Sequence, residues 1–253
     1  MKVNRILVSQ PAPSETERSP YTELAEKHQM QLDFRPFIRV EGVTAREFRQ
    51  YKIEVLDFGA VFLTSKTAVD HYFRICEEFR VNVPDSMKYF CTSESIANYL
   101  QKYIIYRKRK IFFAAKIDDL LNIMHKHRDA KIFLPLSETH KPEIPKLLDK
   151  KNFNYTKVVL YRTVSSDLSE VDIKNYDILV FYSPAEIKSL FQNFPDYEQG
   201  DSKIACFGPT TIKAAKSAKL TVDIQAPRPK TPSLTMAIEN YLKDQAKKKA
   251  ISG

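Results

Sequence analysis

The chain has 253 residues, 43% hydrophobic and 28% charged, a composition that builds a buried core and excludes a disordered or fibrous protein. Its 40 Lys and Arg against 31 Asp and Glu leave a formal charge of +9, which favours polyanionic partners such as nucleic acid, acidic lipid or a polycarboxylated small molecule. Three widely spaced cysteines, Cys76, Cys91 and Cys206, exclude a disulfide framework and paired zinc ligands, and fit a reducing compartment.

In chain order, short β-type runs alternate with helical patterns. The start, MKVNRILVSQPAP, turns polar after one short apolar run. It predicts a strand at 5–9 and neither a signal peptide nor a membrane span, so a soluble cytoplasmic protein is expected. A helix is predicted from Pro20 to His28, with Ser19 as N-cap and Pro20 at the first position. LDFRPFIRV (32–40) reads as extended because Pro36 disfavours a helix at and before itself. GAVFLTSKTAVDHYF (59–73) is a strand running into a helix through two hydroxyls. Strands follow at 87–91, 111–113 and 131–136, and helices at 94–102, 117–127 and 141–150. After VVLYRTV (158–164) come strands at 177–183, 203–208 and 221–225, each leading into a helix. This alternation predicts parallel sheets with helices on both faces.

The later series repeats the earlier one. DILVFYSPAEIKSLF matches GAVFLTSKTAVDHYF, and KIACFGPTTIKAA matches KYFCTSESIANYL; helices around 118–124 and 233–241 form a third matching block. Two related α/β domains place Thr64, Ser65, Ser95, Ser183, Thr210 and Thr211 at the carboxyl ends of strands, where open parallel sheets bind ligands. With only five glycines there is no dinucleotide fingerprint and no Walker loop. Hydroxyls beside the N–H groups of a helix start can still hold carboxylates. The plainer reading makes Ser65, Ser95, Ser183 and Thr211 N-caps and nothing more. His125 and His127 are too close in sequence for a metal pair on one helix face, and no metal or flavin is expected. The basic runs at 107–110 and 247–249 lack an aromatic platform for nucleic acid and read as solvated surface.

The motifs SPYTELAEKHQ, VFLTSKTAV, LPLSETHKPEIPKLL, VVLYRTV, VFYSPAEI, FGPTTIKAA and APRPKTPSLTMAI, in this order and spacing, resemble the uroporphyrinogen-III synthase family over nearly the whole chain. The resemblance implies two flavodoxin-like α/β domains joined by a two-stranded linker, with an active site in the cleft between them. One domain would be discontinuous, 1–38 plus 165–253, and the other, 41–160, inserted into it. The reaction implied is cofactor-free: hydroxymethylbilane loses its hydroxyl, its last pyrrole ring is inverted, and the macrocycle closes. By resemblance Tyr161 is catalytic, helping the hydroxyl depart. Substrate contacts fall to Gln10, Thr64, Ser65, Ser95, Ser137, Lys141, Ser183, Pro184, Thr210 and Thr211, and a glutamate placed at Thr211 should repel the substrate carboxylates. The enzyme implied is a monomer that binds neither nucleic acid nor membrane. The sequence departs from the family at Ser9-Gln10-Pro11, where many members have Thr-Arg-Pro, and at Thr92, the expected counterpart of Gly208. A non-catalytic two-domain protein that binds an anionic small molecule would use the same hydroxyl turns.

Overall fold

A computed structural model describes residues 3–14, 18–105, 107 and 109–252, with side chains to residue 247. Lys2 of the opening segment and Lys108 of the first basic run lie outside these, as do the side chains of Lys248 and Lys249 in the second. The chain divides into two compact units: Met1–Arg39 with Val164–Gly253, and Val40–Thr163. The unit boundaries fall beside Pro36 and in VVLYRTV, the two extended stretches of the sequence.

The first unit holds β1 (Arg5–Val8), α1 (Pro20–His28) and β2 (Gln31–Phe34), and resumes later in the chain. The second begins along β3 (Ile38–Gly42) and continues with α2 (Ala45–Arg49), β4 (Ala60–Leu63), α3 (Lys66–Glu78), β5 (Lys88–Cys91) and α4 (Glu94–Tyr99). Its remaining elements are β6 (Ile111–Phe113), α5 (Ile117–His125), β7 (Ile132–Ser137), α6 (Glu143–Lys150) and β8 (Tyr155–Ser165). The first unit then completes itself with β9 (Ile178–Phe181), α7 (Pro184–Asn193), β10 (Lys203–Phe207), α8 (Pro209–Ser217), β11 (Val222–Ala226) and α9 (Leu234–Ser252).

The strand order of the first unit is β2-β1-β9-β10-β11, all parallel. Counted along its own chain this is 2-1-3-4-5, the flavodoxin-like order. The second sheet runs β3-β8-β7-β4-β5-β6. Without β3 it is the same arrangement circularly permuted: β7 and β8 stand where β1 and β2 stand, and β4, β5 and β6 match β9, β10 and β11. This explains why the sequence repeat begins at β4, the third strand position, and why LPLS closes β7 much as ILV closes β1 with Ser9 just after it.

The extended stretch 32–40 is two strands, not one. β2 ends at Phe34, and β3 joins the other sheet beside β8; Ser166 N–H donates to the Phe37 carbonyl and Val43 N–H to the Leu160 carbonyl, so the two run in opposite directions. Helix α2 was not foreseen. Thr44 caps it through a reciprocal capping box with Glu47, a local signal that outweighs its short length.

Each sheet is buried on both faces, which accounts for its continuous apolar strands. In the first unit Leu7, Leu179, Phe181 and Ile204 pack against α7 and α8, while Ile6, Val8, Val180 and Ile224 pack against α1 and α9. In the second, Val61, Leu63 and Phe133 meet Tyr72 and Ile75 of α3, and Phe62, Phe90 and Leu134 meet Leu120, Met124 and Leu148 of α5 and α6. All three cysteines are unbridged and buried, and burial pushes each thiol up to about 12. Among the described residues no helix is long and apolar enough to cross a membrane.

Candidate functional site

In a doubly wound sheet, consecutive helices change face at one pair of adjacent strands, and a crevice opens there at the strands' carboxyl ends. In the second unit that pair is β7 and β4, with α6 and α3 on opposite faces. In the first it is β1 and β9, with α1 and α7 on opposite faces. The crevice residues are therefore Thr64, Ser65 and Ser137 in one unit, and Ser9, Gln10, Ser183 and Pro184 in the other.

Ser65 is extended (φ −157°, ψ 160°) and caps α3, its Oγ accepting from the Ala68 N–H at 3.0 Å. The same oxygen lies 3.1 Å from the Tyr161 hydroxyl. Tyr161 reaches it from β8, where Ser137 of β7 is its partner and the register slips between Leu136 and Ser137. The slip inserts Leu160 as an extra residue on β8, a bulge of the kind that re-aims side chains beside active sites. The Tyr161 carbonyl accepts from the Glu138 N–H at 2.9 Å, which ties the bulge to the β7 turn. The His71 ring of α3 stacks on Tyr161, centroids 5.1 Å apart and planes 14° apart. Burial, and next the nearby Arg74, hold the His71 imidazole below its ordinary pKa. Lys141 is exposed in the turn between β7 and α6.

In the first unit Ser183 caps α7, accepting from the Glu186 N–H at 3.3 Å, while the Glu186 carboxylate accepts from the Ser183 N–H at 3.0 Å. Pro184 takes the first helical position, where no N–H bond is required. Glu186 is buried, and burial raises its carboxyl pKa against the pull of the Tyr182 and Ser183 N–H groups. Gln10 is exposed just past β1.

The second pair of turns corrects the capping expectation. Ser93, not Ser95, caps α4, accepting from the Ile96 N–H at 3.3 Å; Ser95 sits inside the first turn and is exposed. Gly208, not Thr211, stands at the start of α8, with φ +83°, a conformation that favours glycine. The counterpart of Gly208 is thus Ser93, one residue past Thr92. Thr211 is fully buried and donates its hydroxyl to the Tyr182 carbonyl at 3.0 Å, whereas Thr210 is exposed. Helical spacing did not separate these neighbours; the exact residue at which each strand ended did. His71 was missed because a half-buried histidine on a helix carries no local signal.

The family model described as uroporphyrinogen-III synthase HemD matches residues 19–236. The uroporphyrinogen-III synthase of Saccharomyces cerevisiae is 30% identical over 139 residues, 49% of this chain and 50% of the yeast protein, so the match spans about half of that relative's length. The crystal structure of uroporphyrinogen-III synthetase from Helicobacter pylori superposes with a TM-score of 0.58 at 16% identity, covering 95% of this chain and 99% of that one. A mutant uroporphyrinogen III synthase from Thermus thermophilus superposes at 0.50 with 14% identity, covering 96% and 99%. These two likenesses establish a shared fold. On the family match, which extends over most of its length, the chain belongs to the uroporphyrinogen-III synthase family.

Proposed function

We propose that this protein converts hydroxymethylbilane to uroporphyrinogen III, as a cofactor-free lyase of tetrapyrrole biosynthesis. In a chain of this family, the observation that carries the reading is the Tyr161 hydroxyl, half-buried and bonded to the Ser65 cap at a sheet switch point. Acetate and propionate carboxylates of the substrate are taken by the first-turn N–H groups and hydroxyls at Thr64, Ser65, Ser137, Ser183 and Thr210, with Gln10 and Lys141 beside them. Ser65 donates its own proton to Tyr161 Oη, leaving the phenol proton directed at the substrate hydroxyl. The C–O bond of the hydroxymethyl group breaks, the oxygen leaves as water with that proton, and the pyrrole nitrogen lone pair stabilises the resulting azafulvenium cation. The last ring is then inverted and the macrocycle closes on a pyrrole carbon, the proton expelled in that closure restoring the Tyr161 phenol, so the net change is loss of one water. The formal charge of +9 assists capture of the polyanionic substrate. The reading places the enzyme in the cytoplasm as a monomer.

A coupled assay supplying hydroxymethylbilane and separating the product isomers tests this. The III isomer should form faster than the spontaneous I isomer, with or without chelator. Formation of the I isomer alone, at the uncatalysed rate, would leave a non-catalytic binding protein.

A further inference from the structure

We propose that His71 is a positioning residue for Tyr161, held in place by Arg74, and that Gly42 is glycine because Arg74 needs its space. The inference rests on the catalytic reading of Tyr161 and deepens it.

The Tyr161 ring has two neighbours that fix it in different ways. Ser65 sets the hydroxyl at 3.1 Å, and His71 covers the ring face at 5.1 Å with the planes nearly parallel. The bulge at Leu160 re-aims the Tyr161 side chain out of the regular ladder, so the partner stacked on its ring helps decide where the phenol points. His71 is itself oriented. Arg74, one turn on, donates from Nε to His71 Nδ1 at 3.2 Å, which requires a ring without a proton on that nitrogen. The guanidinium is anchored by donation to the Val43 carbonyl at 2.8 Å and to Glu78 at 2.7 Å.

Gly42 completes the chain of contacts. Its backbone is not in the left-handed region, so conformational freedom does not explain the glycine. A Cβ there would lie 2.8 Å from Arg74 Cζ and Nε and 2.9 Å from Nη2, well inside van der Waals contact. The clash falls on the mobile end of a long side chain. An added methyl therefore displaces the guanidinium and leaves the core packing in place.

The test uses fluorine NMR of fluorotyrosine-labelled protein alongside steady-state turnover. The Tyr161 signal is identified by its loss in Tyr161→Phe. It should shift in both His71→Ala and Gly42→Ala, and both variants should lower kcat about three- to fivefold at unchanged KM, less than removal of the hydroxyl itself. In a Tyr161→Phe background neither substitution should cost anything further, since each acts only through the phenol. An unmoved signal in His71→Ala overturns the proposal. So does full turnover of His71→Ala where Tyr161→Phe is slow, or a His71→Ala loss that persists without the hydroxyl. Should Tyr161→Phe keep full turnover, the catalytic reading of Tyr161 fails by itself, and the fluorine signal alone decides whether His71 positions the ring.

Discussion

At the scale of single residues, Tyr161 joins a donor, its hydroxyl, to a fixed geometry. Tyr161→Phe keeps the ring between its neighbours and removes only the proton. Turnover should fall by about tenfold, short of the loss typical of a full general acid, because substrate carboxylates also stabilise the cation. Product affinity should be unchanged by titration. The two threonines of α8 make the complementary case. A glutamate at Thr211 would bury a charge, so the variant suited to testing carboxylate repulsion is at Thr210, which is exposed. Thr210→Glu should weaken product binding at least about fivefold with little change in melting temperature. Thr211→Val should leave binding intact and cost about 1 kcal/mol, since it strips the Tyr182 carbonyl of its donor. Thermal melts and product titrations on both variants separate the two effects.

At the scale of elements, a five-residue helix such as α2 does not hold itself together. Glu47 does it, accepting from Thr44 N–H at 2.8 Å and from Arg162 of β8 at 2.8 Å. The Thr44 backbone bond first, and the Arg162 bond next, hold its carboxyl down at about 2. A carboxyl depressed in the folded state stabilises it above the ordinary carboxylate pKa, and the contribution is lost as pH falls toward the folded value. The melting temperature of the wild type should therefore exceed that of Glu47→Gln at neutral pH, and the gap should narrow between about pH 5 and pH 3. A gap that stays constant with pH would mean the carboxylate's charge has no part in it. The element-level reading of the sequence failed where such local bonds decide. α2 has too few residues for periodicity to detect, and Ser93 rather than Ser95 became the cap because β5 stops at Cys91.

At the scale of the whole molecule, the chain leaves the first sheet after β2 and returns at β9, with the second unit between. The two ends of that unit enter and leave along neighbouring strands, β3 and β8, and its residues build a core on each face of its own sheet. Residues 40–163 produced alone should melt in one cooperative transition by far-UV circular dichroism; a fragment without such a transition would overturn this. Much was determined by the sequence itself. Strand–helix alternation, the apolar strands of doubly covered sheets and the SPAEI helix start are local patterns, set by side-chain periodicity and backbone sterics. The repeat between GAVFLTS and DILVFYS is local too, and it disclosed two related sheets. Which strands lie side by side is not local. Strand order is a matter of which apolar faces bury one another across dozens of residues, so the circular permutation of the second sheet appears only once the chain is folded. The same holds for Ser65, His71 and Tyr161: the first two stand at the start and first turns of α3 and the third on β8, and only the β4–β7–β8 adjacency and the bulge at Leu160 bring their side chains together.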